Sequence, residues 1–281
     1  MNPIVLNDPV IRPETYRENP AYMLRDSVGQ KGAKIVGRPG CYGARWQHGP
    51  LVVERYTGDV PPVLEEDRVP RLVVWQPLHP APRPKRWWYT PPGMSVGMTG
   101  YAPVIKGEAY DKRWSSNVRR QAAKFRKSGW IIREVTPEEY KTAYDRCVHQ
   151  DFMLRALFAA TIDVKIQGHP GLVRLYGAAP SQDARIEAGF ICVDVPETME
   201  SQHYLSFICK PALEVGAGSG LMDHWFRTGI ARGVRYFDFG IFWRKGDPKS
   251  WKGNSRFKSS FGTIMMDYPS PYMRWYRGRG L

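Results

Sequence analysis

The chain has 281 residues, 42% of them hydrophobic and 24% charged, with a formal net charge of +14. Those proportions exclude wholesale disorder, and the length suits two domains or one large α/β unit. Asp8, Arg12 and Glu14 interrupt the N-terminus without an apolar stretch behind them, so no secretory signal is expected.

Two segments supply the whole charge imbalance. Residues 106–133 hold nine Lys or Arg against Glu108 and Asp111, and residues 244–281 hold nine against Asp247 and Asp267. The remaining 23 basic and 23 acidic residues cancel (41 − 18 and 27 − 4). Two dense basic segments on an otherwise neutral chain suggest a footprint for phosphates, in a nucleotide, an RNA or a lipid-linked precursor. A solvated face is the plainer reading of each.

In chain order, strands are expected at 33–36, 51–55 and 72–75, separated by turn residues. The stretch PLHPAPRPKRWWYTPPG (77–93) has too many prolines for a helix and reads as an extended loop, with Trp87, Trp88 and Tyr89 either covering a substrate or, the plainer reading, anchoring the loop in a core. The longest uncharged run, 87–105, contains Pro91, Pro92, Pro103 and three glycines. In lipid its backbone groups would go unpaired, so it is a loop and no integral membrane segment is expected. WSSNVRRQAAKFRKSG (114–129) carries serines at its start, an apolar stripe of Val118, Ala122 and Phe125, and Gly129 past its end. It predicts an amphipathic helix with a basic outer face.

A strand over 130–135 leads into Thr136, Pro137 and Glu139, spaced as a capping box that opens another helix. Strands at 172–178, 185–195 and 203–209 predict a meander. The glycine-rich EVGAGSGL (214–221) lies between the last of these and a helix over 219–232, whose stripes are Leu221/Trp225 and Met222/Phe226/Ile230. Such a turn can cradle a pyrophosphate on unsatisfied N–H groups, or merely use glycine for positive φ. Gly233 stops the helix before the strand VRYFDFG. This order of elements is α+β or α/β.

Chemistry-bearing motifs are few. Six histidines are scattered without ligand spacing, and Cys41, Cys147, Cys192 and Cys209 form no Cys-x-x-Cys pair. No metal site and no disulfide framework are expected, and a reducing cytoplasm is the simplest location. Neither a Gly-x-Ser-x-Gly elbow nor a phosphate-binding P-loop occurs.

Four stretches in order carry a resemblance: WQHGPLV (46–52), WSSNVRRQAAKFRKSGWIIREVTPEEY (114–140), SGLMDHWFRTGIARGVRYFDFG (219–240) and RFKSSFG (256–262). Together they resemble the Fem family of peptidoglycan aminoacyltransferases, through Gly49-Pro50, the 119–129 helix, the 230–240 helix–strand unit and the 257–262 motif. The resemblance implies an α+β fold of two GNAT-like (acyl-CoA N-acyltransferase-like) domains with mixed, mostly antiparallel sheets. These are expected at residues 1–134 and 135–281, the second ending in the basic C-terminal segment. It implies amide formation by transfer of an amino acid from aminoacyl-tRNA to an amine of a peptidoglycan-precursor-like acceptor, with no other cofactor.

The resemblance puts Phe257 and Lys258 at the reaction centre. An amine attacking an acyl ester builds negative charge on the carbonyl oxygen, which a fixed cation stabilises. Asp238 is a candidate to orient or deprotonate the amine, or else to cap a neighbouring backbone. Arg119, Arg120, Lys124, Lys127 and Arg256 are candidate contacts to substrate, as are Gly216, Gly218 and Trp243. An early Lys, Lys31 or Lys34, is expected to meet precursor phosphates. Two departures are that Ile241 follows Gly240 where many relatives have a second glycine, and that no long coiled-coil arm is present. Two other readings stand beside this one. An acyl-CoA-dependent N-acyltransferase would use 214–220 for the pyrophosphate, although Leu213 stands where a cation or amide is usual. A non-catalytic RNA-binding protein would use the two basic segments.

Overall fold

A computed structural model describes residues 34–38, 41–64, 69–77, 79–90, 98–148, 171–195, 199–245, 247, 249, 251–267 and 269–277. The chain forms two compact units. The first comprises Met1–Met98, Trp243–Trp251 and Met266–Leu281; the second comprises Thr99–Phe242 and Lys252–Met265. The division expected between residues 134 and 135 therefore falls inside the second unit. The reason is strand pairing: the last strand of the chain joins the first sheet, and strands from both sides of 134 share the second.

The first unit holds a six-stranded sheet built from β1 (Lys34–Arg38), β2 (Cys41–His48), β3 (Leu51–Gly58), β4 (Arg71–Pro77), β5 (Trp88–Tyr89) and β13 (Tyr272–Tyr276). Its order is β1-β2-β3-β4-β13-β5. Neighbours are antiparallel except β3 and β4, which run parallel. Gly49-Pro50 makes the two-residue β2–β3 hairpin, with Gly49 at φ +58°; glycine at the first central position suits the twist of a tight hairpin. Trp75 is the centre of this core, stacked on Tyr272 at 5.8 Å and edge-on to Trp87 at 6.2 Å. The aromatic triplet divides: Trp87 is core, as expected, whereas Trp88 and Tyr89 are exposed and form the edge strand β5. Their place on an edge strand accounts for that exposure: β5 pairs only with β13, so one side of it has no neighbouring strand among the described residues.

The second unit contains β6 (Met98–Pro103), α1 (Ser116–Lys127), β7 (Ile131–Glu134), α2 (Pro137–Cys147), β8 (Val173–Ala179), β9 (Ala188–Val195), β10 (Glu200–Ile208), α3 (Lys210–Glu214), α4 (Ala217–Ala231), β11 (Tyr236–Ile241), α5 (Trp251–Ser259) and β12 (Ile264–Asp267). Its seven-stranded sheet has the order β12-β6-β11-β10-β9-β8-β7. The meander β8–β9–β10 is antiparallel as the sequence predicts, and β10 runs parallel to β11.

Helix α1 buries Val118, Ala122 and Phe125, and the Ser115 hydroxyl accepts from the Val118 N–H. At α2 the Thr136 hydroxyl accepts from the Glu139 N–H at 3.1 Å. The return half of the capping box is replaced by an ion pair, because both Glu139 oxygens take the Arg133 guanidinium. Helix α4 buries Leu221, Trp225, Met222 and Phe226 of the expected stripes and half-buries Ile230, with Trp225 fully enclosed by Phe190, Phe226, Phe237 and Phe239.

His224 on α4 lies edge-on to Tyr176 at 4.8 Å. Burial, helped by the Arg227 charge, pushes its pKa down from 6.5 to about 4. The unfolded chain therefore takes up a proton near pH 6.5 that the folded chain refuses until about pH 4. Stability is expected to fall as pH drops through that window. Urea midpoints measured across it will show the slope in the native chain and a flatter line in His224→Gln.

Candidate active site

The parallel strands β10 and β11 pair at only three positions, Glu200–Tyr236, Ser201–Phe237 and Gln202–Asp238. Beyond them the ladder stops, and β10 is bulged between His203 and Leu205. The carboxyl ends of the two strands thus part, and this is where ligands bind in sheets with parallel strands. The β10 end runs through α3 to the N-terminus of α4; the β11 end runs to Phe242.

Asp238 shapes the β11 end. Its Oδ1 accepts from the Gly240 N–H at 2.6 Å and from the Thr99 hydroxyl at 2.8 Å, and the Thr99 hydroxyl also lies 2.9 Å from the Gly240 carbonyl. Gly240 sits at φ +70°, a left-handed conformation that glycine accepts freely, inside a register shift against β6. This turn presents the Ile241 carbonyl to Lys258, whose Nζ donates to it at 3.0 Å from above the Phe242 ring, 5.8 Å from the ring centroid. Lys258 is only 6% exposed.

Phe257, the neighbour of Lys258 on α5, packs edge-on against Phe261 at 5.0 Å. Its ring edge lies 3.6 Å from the place a Cβ on Gly218 would occupy, and Ile208 Cδ1 lies 2.7 Å from it. A side chain at 218 would collide with the end of β10. The absence of one brings the first turn of α4 against the helix that carries Lys258. Gly262 closes the RFKSSFG motif at φ +70°, where a Cβ would stand 2.5 Å from Arg113 Cβ and 2.9 Å from its carbonyl oxygen.

The other expected residues are placed differently. Gly216 is the N-cap of α4 at φ +79°; its N–H is taken by the Leu213 carbonyl, and a Cβ there would stand 2.8 Å from the Gln121 carbonyl oxygen. It is a turn glycine packed on α1, and α3, rather than a strand, precedes it. Lys124 spends its ammonium on the Glu214 carbonyl at 2.6 Å. Arg120 holds Asn117, while Arg119, Lys127 and Arg256 are exposed. Trp243 belongs to the first unit and donates its indole N–H to the Asp247 carbonyl at 3.0 Å. Lys34 is exposed on β1, and Lys31 lies outside the described residues.

Two residues that the sequence reading passed over flank β11, His203 on β10 and Thr99 on β6. His203, 9% exposed, stacks on Phe190 at 5.1 Å with Nδ1 3.4 Å from the Phe239 carbonyl across the gap, and Nε2 3.3 Å from the exposed Ser206 hydroxyl. Thr99 ties β6 to the turn under Lys258. Neither has a sequence signal: both depend on pairings between distant strands. Among the described residues, no cluster of His, Cys, Asp or Glu suits a metal ion.

No known protein family matches the sequence, and no curated protein matches it. Solved structures do. FemX superposes with a TM-score of 0.63 over 93% of this chain and 94% of its own, at 10% identity. The chain has the fold of FemX. It is also similar to L-PGS from Bacillus licheniformis (TM-score 0.52, 13% identity, 89% of this chain and 85% of that one). A third likeness is to the C-terminal domain of a putative lysylphosphatidylglycerol synthetase from Agrobacterium fabrum (TM-score 0.54, 12% identity, 94% and 90%). The expected α+β architecture with two mixed sheets flanked by helices is thus the observed one, and the Fem-type likeness read from four motifs extends over nearly the whole chain.

Proposed function

We propose that this chain is an amide-forming acyltransferase that moves an amino acid from aminoacyl-tRNA to an amine of a peptidoglycan-precursor-like acceptor in the cytoplasm. The observation that carries the reading is Lys258, buried on a FemX-like fold with its ammonium on the Ile241 carbonyl at the end of β11. Attack of the amine nitrogen on the ester carbonyl forms a tetrahedral oxyanion. The Lys258 ammonium stabilises that charge, and the N-terminus of α4 beside Phe257 adds its partial positive charge. Collapse forms the C–N bond, breaks the ester C–O bond and returns a proton to the departing tRNA hydroxyl. The amine must lose a proton on the way. Asp238, with an oxygen already accepting from two donors, serves here to position the β11 end. The exposed cations Arg119, Arg120, Lys127 and Arg256 supply a surface for tRNA phosphates. No described helix is long and apolar enough to cross a membrane.

Acyl-CoA as donor is the second reading, since α4 begins in a glycine-rich turn. The Gly216 N–H is already bonded to Leu213 and Leu213 itself is 66% exposed, which leaves that turn poorer in donors than its sequence suggests. A transfer assay with radiolabelled amino acids on total tRNA, run beside acetyl-CoA with a mixture of muropeptide acceptors, separates the readings. Label passing from tRNA to acceptor is the expected result. Transfer from acetyl-CoA alone would move the protein to the CoA-dependent class, and salt-sensitive RNA retention without any transfer would leave only an RNA-binding role.

A further inference from the structure

The first unit carries a surface that the proposed transfer leaves unused. In the β5–β13 ladder Trp88 stands opposite Met273 and Tyr89 opposite Tyr272. Along β13, Met273 and Trp275 share one face and stand opposite Val74 and Leu72 of β4. Trp88, Met273 and Trp275 therefore lie on the same side of the sheet, at its edge. Trp88 is 53% exposed and Trp275 44%, large values for indoles on a folded protein.

The chain segments that carry them hold charge of one sign. No acidic residue occurs between 68 and 107 or after Asp267. Exposed Arg83, Lys85 and Arg86 lead into β5, and exposed Arg277 follows β13. Arg86 sits at φ +67°, an uncommon conformation for a residue with a side chain, in the turn just before Trp87 and Trp88. Exposed indoles at the edge of a sheet, flanked along the chain by cations, match the chemistry of the anionic bilayer boundary, where indole rings settle at headgroup depth and Lys or Arg pairs with phosphate.

Single-stranded RNA would also be drawn to the charge, but it binds by stacking bases on open aromatic faces. Here the tyrosines beside the patch already carry guanidinium groups, Arg83 over Tyr89 at 5.8 Å and Arg274 over Tyr276 at 4.5 Å. What remains open is the pair of indoles with aliphatic neighbours, which favours insertion over stacking.

We propose that the Trp88–Met273–Trp275 face is a docking surface for a bilayer containing anionic phospholipid. The inference concerns the first unit alone and does not rest on the transfer reading. The test is partition of the full chain between buffer and two kinds of vesicle, phosphatidylcholine alone and phosphatidylcholine with phosphatidylglycerol. Binding is followed by co-sedimentation and by quenching of indole emission with brominated lipid. The native chain is expected to bind and be quenched only by the anionic vesicles. The exposed double variant Trp88→Ser/Trp275→Ser is expected to lose about tenfold or more in partition from the lost apolar contact. Lys85→Glu/Arg86→Glu is expected to lose about fivefold or more per cation at low salt. Far-ultraviolet circular dichroism of both variants checks that the sheet is intact. Absence of binding to anionic vesicles overturns the proposal, as does binding that neither variant weakens. Retention of an RNA oligonucleotide that the tryptophan variant weakens, with vesicle partition unchanged, would reassign the surface to RNA.

Discussion

Lys258→Met is expected to lower the transfer rate by about a hundredfold or more, with the protein still folded. Methionine keeps an unbranched stem over the Phe242 ring and removes only the ammonium group. That group makes a 3.0 Å bond to the Ile241 carbonyl, so a structural cost comes with the chemical one. Ile241 is half-buried, so water can replace the lost donor, and the structural cost stays near 1 kcal/mol. The rate loss corresponds to nearly 3 kcal/mol of transition-state stabilisation, about three times larger. Measuring the rate with saturating donor, alongside a denaturant midpoint for the same variant, keeps the two effects apart. Lys258→Arg is not expected to restore activity, because a planar guanidinium fork is larger than the compact ammonium that is buried here. A Lys258→Met protein that transfers at the native rate would reduce Lys258 to a tie on the end of β11.

The largest effect on stability is expected from Trp225→Ala. The indole is fully buried, and its N–H donates to the Ser201 hydroxyl at 2.8 Å. Ser201 in turn donates to Asp194, which also takes Arg174 and Arg232. Truncation opens a cavity among four phenylalanines and leaves one hydrogen-bonded network without its apolar lid. Losses of about 3–5 kcal/mol are usual for such a change, and on a unit of this size they lower the melting temperature by roughly 10 °C. Differential scanning calorimetry will show the shift. Trp225→Phe fills most of the space and is expected to lose less than half as much. A shift under 2 °C for the alanine variant would mean that the neighbouring rings collapse into the space.

What the sequence shows well is whatever neighbouring residues decide. Helix α1 was legible in full because its serine cap, its stripe and its basic last turn lie within one stretch. Helix α4 was legible in type and face, though its start moved from Ser219 to Ala217 because Gly216 supplies the cap. Helix α3 hid in five residues, with Pro211 in its first turn as the only signal. Helix α5 was concealed by Gly253, Asn254 and the alternation of cations with aromatics, which suggest a loop until Phe257 and Lys258 find partners on other elements. The parallel pairing of β10 with β11 joins segments more than thirty residues apart, and no local pattern encodes it. So the motif RFKSSFG drew notice as a motif, while the burial of Lys258, the hydrogen bonds of Asp238 to Thr99 and Gly240, and the placing of His203 had to come from the folded chain.

The first sheet has one further consequence, for the order in which the chain becomes structured. Its strand β13 lies between β4 and β5, and Tyr272 bonds to the Ala81 carbonyl 191 residues earlier. During synthesis β1 to β4 leave the ribosome long before β13, and the β4 edge stays bare until β13 follows. The second unit has all but one of its strands, and its central helix, by residue 241. The unit that begins the chain is therefore the last to close. An unpaired strand edge that waits that long invites pairing with another copy. Nascent chains of this protein are exposed to that hazard until β13 has been made and covers the β4 edge.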